Sequence, residues 1–411
     1  MKKNLFFFFS MMAALASAQV YKTRPDAFAP IHDTLAPKVV NMATTIDEMA
    51  NWDKYPTYPV YVEMMQRFAQ NYPSLCRLDT IGTSVQGRLI LCLAIKGTNE
   101  NITNKPEFLY SSTMHGDEVT GFYLMLRLCD TLLSSYGTSD DITYMLDHVD
   151  VYINPLSNPD GTYHGGDQTV ARAWRYNSNY VDLNRNYPDP FGTAALDELQ
   201  TENEAMIAYI SDHNFSLSAN LHGGSEVMNY PWDSFTSRQR QNEHSDWWQE
   251  VGKRFVDTCR MYDNNRFRDV NNSGVIDGGD WYVISNGRQD YFNYYHGIRE
   301  ITMELSSAKT VSTDRLNGYW HCESHALINY IKEIYSFTSF DTIANDTTTI
   351  DTVPVGISSL NKGNNIVYPN PTTGPVTVIT PTQTLHFNLS DRPSGVYFIQ
   401  VEDRYVKVVK H

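Results

Sequence analysis

Positive charge is scarce in this sequence of 411 residues, which has 32 lysines and arginines against 47 aspartates and glutamates. The net charge of −15 argues against binding to nucleic acid or to an anionic membrane through bulk electrostatics. Long apolar runs are also missing. Beyond the first 18 residues no apolar stretch is long enough to cross a bilayer, so no transmembrane segment is predicted. No internal repeat is visible.

Cysteine is rare as well, with five residues at positions 76, 92, 129, 259 and 322. Their spacings match no Cys/His zinc pattern, so any metal site is expected to use other side chains. Cys92 and Cys129 lie among apolar residues, which favours buried free thiols. An oxidising compartment would allow one or two disulfides, but the sequence does not give the pairing.

Residues 1–18 have the pattern of a signal peptide, in which two lysines precede an apolar stretch and a small-residue cleavage site at 16–18. We therefore expect an exported protein, secreted or on the cell surface. Residues 19–47 contain three prolines and are predicted to form an N-terminal arm or short pro-segment.

Between residues 48 and 337, short apolar strands alternate with segments of helical apolar spacing, which predicts an α/β domain with a mixed sheet flanked by helices. Ligands of such sheets gather at the carboxyl ends of strands, where His115, His222 and Glu304 lie. The predicted strands are 76–81, 89–95, 108–112, 149–153, 217–221 and 298–305, and the predicted helices are 58–72, 119–135, 196–211, 246–262 and 326–335.

The composition changes after residue 337. Residues 338–356 are rich in Asp and Thr and are predicted to be a linker. Residues 357–411 consist of short strands and turns, which predicts a small all-β module. Its later predicted strands are 376–379, 385–389, 395–401 and 405–409.

His115 and Glu118 lie between a predicted strand and a predicted helix. An imidazole and a carboxylate three residues apart on such a turn can reach one point, as a tetrahedral zinc ion requires. The pair alone is a weak motif, because a surface histidine and glutamate give the same pattern. Further polar clusters strengthen it, namely Arg175, Asn184-Arg185-Asn186, His222-Gly223-Gly224, and the alternating Glu300, Thr302 and Glu304 on one face of a strand.

A set of motifs occurs in one order between about residues 50 and 337. They are His115-Gly-Asp-Glu118, Asn158-Pro-Asp-Gly161, Arg175-x-Asn177, Asp182-Leu-Asn-Arg-Asn186, Leu221-His-Gly-Gly224, Asn229-Tyr-Pro-Trp-Asp233, Trp281-Tyr282, Gln289-Asp-Tyr291 and Glu300-Ile-Thr-Met-Glu-Leu305. With these motifs the chain resembles a zinc carboxypeptidase of the carboxypeptidase A/B family, and the N/E-type subgroup is closest in pattern.

The resemblance implies an enzyme that releases one residue from the C-terminus of a peptide or protein. It implies His115, Glu118 and His222 as ligands of one Zn²⁺ ion, with a fourth position left for water. It also implies Glu304 as the general base that takes a proton from that water, and Arg175 as the group that stabilises the oxyanion.

The same resemblance implies that Asn184, Arg185 and Tyr282 hold the terminal carboxylate of the substrate. In the N/E-type subgroup an Asp and a later Gln contact a basic side chain, and Asp233 and Gln289 match them. We therefore predict a preference for C-terminal Lys or Arg. Each residue also has an ordinary structural alternative, such as a core histidine, a surface cation, a salt-bridge partner or a turn cap.

The segment from Asp269 to Asp280 fits the calcium-loop pattern D-x-N-x-S-G-x-I-x-x-x-D. Its twelfth position is Asp rather than the usual Glu, and no clear helix is predicted after it. The segment also overlaps the Gly-rich stretch that precedes Trp281-Tyr282 in the family. We interpret it as that stretch, with a Ca²⁺ site that rigidifies the loop as the alternative.

The C-terminal module lacks the pattern of the transthyretin-like domain that usually follows an N/E-type catalytic domain. Through Tyr368-Pro-Asn-Pro-Thr-Thr-Gly374, Pro393-Ser-Gly-Val-Tyr-Phe398 and Val406-Lys-Val-Val-Lys410 it resembles the C-terminal sorting domain of type IX secretion. That resemblance implies the type IX machinery as a partner and export through the periplasm. The module is shorter than usual, and a plain β accessory domain is the alternative.

Two other functions stay open. A cell-wall peptide hydrolase on the same fold would cut peptidoglycan stem peptides and leave ordinary C-termini intact. A zinc-free surface-binding protein would lack a ligand or the base, and the sequence shows neither loss.

Overall fold

The structure is a computed structural model that describes residues 38–338 and six short strands beyond them. The predicted signal peptide, residues 19–37 of the predicted arm and most of the predicted linker lie outside the described residues. Among the described residues, no helix is both long and apolar enough to cross a membrane.

The strands of the main domain are β1 (Met42–Ala43), β2 (Tyr55–Pro56), β3 (Cys76–Thr83), β4 (Leu89–Ile95), β5 (Ile102–Thr103), β6 (Glu107–Ser112), β7 (Asp150–Asn154), β8 (Phe215–His222), β9 (Ser225–Tyr230), β10 (Val275–Asp277) and β11 (Arg299–Ser306). The helices are α1 (Tyr58–Asn71), α2 (Thr120–Ser135), α3 (Asp140–His148), α4 (Pro159–Thr162), α5 (Thr201–Ser211), α6 (Ser245–Arg260), α7 (Gly278–Trp281), α8 (Arg288–His296) and α9 (Leu316–Lys332). The later strands are β12 (Asp341–Thr342), β13 (Ile366–Tyr368), β14 (Pro375–Ile379), β15 (Thr384–Asn388), β16 (Gly395–Val401) and β17 (Arg404–Lys410).

Eight strands form one mixed sheet in the order β10-β9-β11-β8-β6-β7-β4-β3. Its centre is parallel, because β8 pairs in parallel with both β6 and β11, and β6 also pairs in parallel with β7. Antiparallel pairs flank this centre, with β9 beside β11 on one side and β4 beside β7 on the other. The predicted mixed α/β sheet is therefore confirmed.

Alternating side chains of the strands enter two hydrophobic cores on opposite faces of the sheet. Leu91 and Leu93 of β4 pack in one core with residues of α1, α2, α6 and α9. Cys92 and Ala94 pack in the other with residues of α5 and α8. Fully burying a side chain the size of leucine contributes about 1.5–3 kcal/mol, so the period-two pattern fixes which face each strand residue occupies.

The bounds of some helices and strands differ from the prediction. These are the segments in which polar residues interrupt the regular spacing of apolar residues. The last helix, α9, begins at Leu316 rather than at residue 326, and α5 begins at Thr201 rather than at 196. Helices α3 and α8 and strand β9 were not predicted. Helix α8 has no amphipathic pattern, since its first turn buries Arg288, Gln289 and Asp290.

The described part of the predicted N-terminal arm packs on the main domain. Strand β1 pairs with β2, and the amide of Thr313 donates to the carbonyl of Val39 at 2.8 Å. In the C-terminal module, β13, β14 and β15 form an antiparallel sheet, and β16 pairs with β17. Strand β12, within the predicted linker, pairs with β5.

Candidate active site

Three adjacent parallel strands bring the predicted metal ligands and base together. His115 lies in the turn after β6, and His222 is the last residue of β8. Glu304 of β11 is the register partner of His222. Because these strands end at the same edge of the sheet, residues far apart in sequence become neighbours.

The turn that presents His115 packs tightly on the turn at Asn158–Gly161. The side-chain amide of Asn158 donates to the carbonyl of Met114 at 3.0 Å. A Cβ added to Gly116 would lie 2.3 Å from the carbonyl carbon of Gly161, so only glycine fits there. This contact explains why the two motifs occur together.

His115, Glu118 and His222 converge on one point. Their ligand atoms form a triangle. His115 Nδ1 lies 3.1 Å from Glu118 Oε2 and 3.0 Å from His222 Nδ1, and His222 Nδ1 lies 2.8 Å from Glu118 Oε2. All three residues are buried. Bond lengths of 2.0–2.2 Å around a tetrahedral zinc ion place ligand atoms about 3.3 Å apart, so the triangle is close to that size.

The donor chemistry of this cluster also fits a divalent cation. Asp182 Oδ1 lies 3.0 Å from Nε2 of His115 and so favours the tautomer protonated there, which leaves the lone pair on Nδ1. His115 Nδ1, His222 Nδ1 and Glu118 Oε2 then face one another. Together these three atoms have more lone pairs than protons. In the described part of the chain, this is the only group of at least three His, Cys, Asp or Glu residues whose ligand atoms converge so closely.

Asp182 was not assigned a role from the sequence, and the structure shows that it joins two parts of the site. Its Oδ2 accepts a hydrogen bond from Arg175 Nε at 2.8 Å, while Oδ1 faces His115. Burial opposes ionisation, but His115 and Arg175 hold the pKa of Asp182 well below its usual value. The only sequence feature that pointed to Asp182 was its position three residues before Arg185. Such spacing does not reveal a contact with His115.

Glu304 faces the same cleft with little exposure. Its Oε2 has no hydrogen-bond partner among the described residues, and the side chain is 8% exposed. Burial, and then the negative charge of Glu118, raise the pKa of Glu304 well above the ordinary value. A carboxyl group with raised proton affinity and a free oxygen is suited to proton transfer.

Two cations lie on the outer side of the metal cluster. Arg175 Nη1 is 3.5 Å from Glu118 Oε1, and Lys309 Nζ is 3.5 Å from the same oxygen. Lys309 also donates to Asp117 at 3.0 Å. Lys309 was not predicted, because a single lysine after a strand gives no signal in the sequence.

The predicted carboxylate-binding residues lie together, but only two of them line the cleft. Asn184 and Tyr282 do so, whereas Arg185 lies beside it and donates to the carbonyl of Asn184 at 2.7 Å. Asn184 Oδ1 accepts the amide of Arg288 at 2.9 Å, which fixes the orientation of its side chain. Tyr282 is 48% exposed at the cleft entrance.

Asp233 is a buried residue of the cleft lining, and we call the part of the cleft around it the closed end. Its Oδ1 accepts a hydrogen bond from Gln289 Nε2 at 2.9 Å, and Gln289 Oε1 accepts the amide of Thr302 at 2.7 Å. The carboxylate of Asp290 accepts the amides of Asp233 and Ser234 at 2.8 and 2.9 Å. Gln289 thus orients Asp233 and anchors it to β11.

The carboxyl groups at this end lack a close cation among the described residues that contact them. Burial, and then the charge of Asp290, raise the pKa of Asp233 well above its ordinary value. Burial also raises the pKa of Asp290, to about 6. Asn229 and Ile284, which sequence patterns did not assign, complete the lining here.

Glu300 shares a strand face with Thr302 and Glu304, but it does not reach the cleft. It is fully buried and forms an ion pair with Arg288 at 2.9 Å. Ser218 also donates to it at 2.8 Å. Glu300 therefore shares the strand face of Thr302 and Glu304 but not their surroundings, because Arg288 of α8 covers the first part of β11.

In the predicted calcium segment, the central oxygens lie close together and the outer carboxylates do not join them. Asn271 Oδ1 accepts from Ser273 Oγ at 2.7 Å, and Ser273 Oγ is 2.8 Å from the carbonyl oxygen of Val275. Asp269 instead accepts from Ser307, and Asp280 accepts from Ser237. The segment continues directly into α7 and Tyr282.

Comparisons with known proteins agree with this geometry. The model of the zinc carboxypeptidase family (Peptidase_M14) matches residues 61–334. The chain is 35% identical over 284 residues to carboxypeptidase M of Mus musculus, covering 66% of this chain and 63% of that protein. It is 30% identical over 348 residues to the carboxypeptidase N catalytic chain of Rattus norvegicus, covering 76% of this chain and 73% of that protein.

The fold is also similar to a solved structure. Carboxypeptidase A from Helicoverpa armigera superposes with a TM-score of 0.59 at 20% identity, covering 69% of this chain and 74% of that chain. The chain spans less than two thirds of the length of carboxypeptidase M. From the family match and the converging His-Glu-His cluster, we conclude that this chain belongs to the zinc carboxypeptidase family.

Proposed function

We propose that the protein is a metallocarboxypeptidase that releases single residues from peptide C-termini. The observation that supports this most directly is the position of Glu304. Its buried carboxylate, with one oxygen free of hydrogen bonds among the described residues, lies in the same cleft as the His115–Glu118–His222 cluster. An acid–base group beside a cation site is the arrangement that peptide-bond hydrolysis needs.

His115, Glu118 and His222 would hold the zinc ion. When bound, zinc acts as a Lewis acid that polarises a carbonyl and makes water more acidic. Glu304 would accept a proton from the attacking water and return it to the leaving amine. Arg175 would stabilise the negative charge that develops on the scissile carbonyl oxygen, and removing such a donor typically costs about 10²–10³ in rate.

The terminal carboxylate of the substrate would bind near Asn184, Arg185 and Tyr282. The positive charge of Arg185 supports this role, since a guanidinium matches a carboxylate with two parallel hydrogen bonds. Asp233, which is buried, belongs to the same cleft lining as Asn184 and Tyr282. Binding of the terminal carboxylate beside this buried residue would restrict the cleft to chain termini and would account for removal of one residue rather than internal cleavage.

We further propose that the released residue is Lys or Arg. Asp233 is buried and its hydrogen-bond partners are the neutral amides of Gln289 and Asn229; the positive charge of Arg185 does not offset burial and Asp290, so the pKa of Asp233 stays raised. A basic side chain at this end would supply the missing positive charge. A buried carboxylate without a cationic partner is energetically unfavourable. A cationic ligand should therefore bind in this pocket more strongly than a neutral one.

The test is hydrolysis of peptides that differ only in a C-terminal Lys, Arg, Phe or Glu, with and without a chelator. We expect fastest release of Lys or Arg and loss of activity on metal removal. Faster release of Phe would contradict the basic preference, and full activity after verified zinc removal would contradict the mechanism. Cleavage of peptidoglycan stem peptides alone would favour the cell-wall hydrolase, and no cleavage at all would favour the binding protein.

A secondary proposal is that the segment from Asp269 to Asp280 binds Ca²⁺. The close oxygens of Asn271, Ser273 and Val275 support it, while the engagement of Asp269 and Asp280 by serines favours a plain loop. A melting temperature that rises with calcium, but not with magnesium, is expected if the site exists. An unchanged melting temperature would leave the loop interpretation.

Export through the type IX machinery is likewise a proposal. It is supported by the signal-peptide pattern of residues 1–18 and by the motifs of the C-terminal module. Fractionation of cells that produce the full chain, with N-terminal sequencing of the mature protein, tests it. We expect a mature protein outside the cell or on its surface that starts after residue 18, and an uncleaved cytoplasmic chain would contradict export.

A further inference from the structure

Four aromatic rings cluster around Trp174, which precedes the cleft residue Arg175 in the chain, and we call them the aromatic platform: His164, Trp174, Tyr176 and Tyr180. His164 stacks on Trp174 with ring centroids 4.2 Å apart, and Tyr176 and Tyr180 contact Trp174 edge-on at 5.7 and 4.8 Å. Tyr176 is 40% exposed and Tyr180 is 73% exposed. Clustered exposed aromatic side chains mark binding surfaces more often than isolated ones do.

Tyr180 is held in an unfavourable backbone conformation. Its φ angle is +64°, in the left-handed region that a bulky side chain rarely adopts. Its amide donates to the carbonyl of Asn177 at 3.1 Å, and Asn177 Oδ1 accepts the amides of Asn179 and Val181, both at 3.0 Å. These contacts fix the turn, and glycine or asparagine would suit it better, so the tyrosine ring is retained at an energetic cost.

The platform is rigidly connected to the catalytic residues. Trp174 and Tyr176 flank Arg175 in the chain. The amide of Trp174 donates to the carbonyl of Gly161 at 3.0 Å, and the amide of Gly116, next to His115, donates to the carbonyl of Arg175 at 3.2 Å. The rings therefore keep a fixed position relative to the metal cluster.

We propose that the aromatic platform binds a ring-bearing side chain, aromatic or proline, of a substrate residue upstream of the scissile bond. This inference rests on the proposed peptidase function. The closed end at Asp233 takes the C-terminal residue, and none of the described residues that line the cleft belongs to the platform. The rings flank Arg175, which would contact the scissile carbonyl, so we place the substrate residues N-terminal to the scissile bond against them.

The planar faces decide the ligand class. A ring side chain packs offset or edge-on against tyrosine and tryptophan with a gain beyond its buried area. The rings do not belong to the cleft lining, so the gain adds to the binding of long peptides, which extend beyond the cleft, and not to that of a blocked dipeptide.

The experiment compares a short substrate, an acetylated dipeptide, with acetylated pentapeptides that contain Phe, Pro, Lys or Gly at the upstream positions. All end in the residue that the enzyme releases fastest, so the test does not depend on the Lys/Arg proposal. The wild-type ratio of kcat/KM for the Phe or Pro pentapeptide to that for the dipeptide should exceed the Gly ratio. In Tyr180→Gly this ratio should fall about three- to tenfold.

Two further variants control the interpretation. Tyr180→Phe keeps the ring and should keep the ratio, and Tyr144→Ala removes another exposed tyrosine, on α3, and should also keep it. Because glycine tolerates a positive φ, Tyr180→Gly should melt at or slightly above the wild-type temperature, so misfolding does not explain a loss.

Three results for Tyr180→Gly would overturn the platform proposal. They are an unchanged ratio, an equal loss of kcat/KM on the dipeptide and the pentapeptides, and a larger loss on Lys pentapeptides than on those with Phe or Pro. Absence of hydrolysis of every substrate by the wild-type protein would contradict the proposed function itself and overturn both proposals.

Discussion

The two ends of the cleft treat buried carboxylates in opposite ways. At the metal end, Glu118 lies among His115, His222, Arg175 and Lys309. Burial alone would raise the pKa of Glu118, but His115 and His222 lower it well below the ordinary value. At the closed end, Asp233 has neutral amide partners, and burial and Asp290 raise its pKa.

This difference matches the cation that we propose for each end. Glu118 is stabilised as an anion inside the fold, so it stays available to a resident metal ion. At Asp233 the charge of Arg185 does not offset burial and Asp290, so we propose that a cation brought by the substrate gains most there. The following predictions test that contrast.

Removing a metal ligand should have the largest effect. His222→Ala leaves two protein ligands, so we expect the zinc content to fall from about one ion per chain to near zero and kcat to fall at least about 10³-fold. Metal analysis with steady-state kinetics measures both. His244→Ala, at a partly exposed histidine outside the cleft, is the control. Normal zinc content in His222→Ala would contradict the ligand assignment.

Removing the base should separate metal binding from catalysis. Glu304→Gln keeps the shape of the side chain but cannot accept a proton, so kcat should fall by about 10²–10⁴ while zinc content is unchanged. Kinetics and metal analysis on the same preparation check this. If kcat stays within a few-fold of wild type, Glu304 is not the general base.

Neutralising the closed end should change selectivity more than turnover. Asp233→Asn should lower kcat/KM for C-terminal Lys by about 10- to 100-fold and leave release of Phe little changed, because only the cationic side chain loses its partner. Asp189→Asn, at a carboxylate that caps Thr193, is the matched control. An equal loss for Lys and Phe would indicate a structural role for Asp233.

The smallest expected effect is on the pH dependence of stability. Burial, and then the charge of Asp280, raise the pKa of Asp277 to about 7, and burial raises that of Asp290 to about 6. These two carboxyl groups therefore bind more protons in the folded state than in the unfolded chain. Their contribution to stability should be greatest below the unfolded pKa near 4 and should be lost as pH rises through 6 to 7.

Asp277→Asn tests this sign directly. Neither oxygen of Asp277 has a well-aligned partner among the described residues, so its ionised form is unfavourable. The variant should melt about 2–5 °C above wild type at pH 8 and at nearly the same temperature at pH 5. Thermal melting at both pH values, without calcium, measures it. A lower melting temperature at pH 8 would mean that the ionised carboxylate is stabilised in the fold.

Where residue types repeat with a clear period, the fold was predictable. The strands around 89–95 and 298–305 and the helix at 58–72 were confirmed to within a few residues, because their apolar spacing matches one structure. Helix α8 was missed because its first turn buries three polar residues, Arg288, Gln289 and Asp290. They form ion pairs and hydrogen bonds with Glu300 and Asp233 instead of packing in an apolar core. No apolar period marks such a helix.

The site divides in the same way. His115, Glu118, His222 and Glu304 could be named from motifs. The structure brings the first three into one cluster and places Glu304 in the cleft that His115 and His222 line. Asp182 and Lys309 could not be named, since their roles depend on contacts between segments that are distant in the chain. The strained Tyr180 was also invisible, because a backbone angle is not encoded by residue type alone.

By itself, the sequence determined the residue types available for chemistry and the alternation of strands and helices. Only the tertiary structure decided that Glu300 pairs with Arg288 while Glu304, four residues later on the same strand face, lines the cleft. The physical reason is that covering elements, not the strand, set which positions are buried in the core and which face a cavity. A strand pattern gives the face of a residue, and packing gives its surroundings.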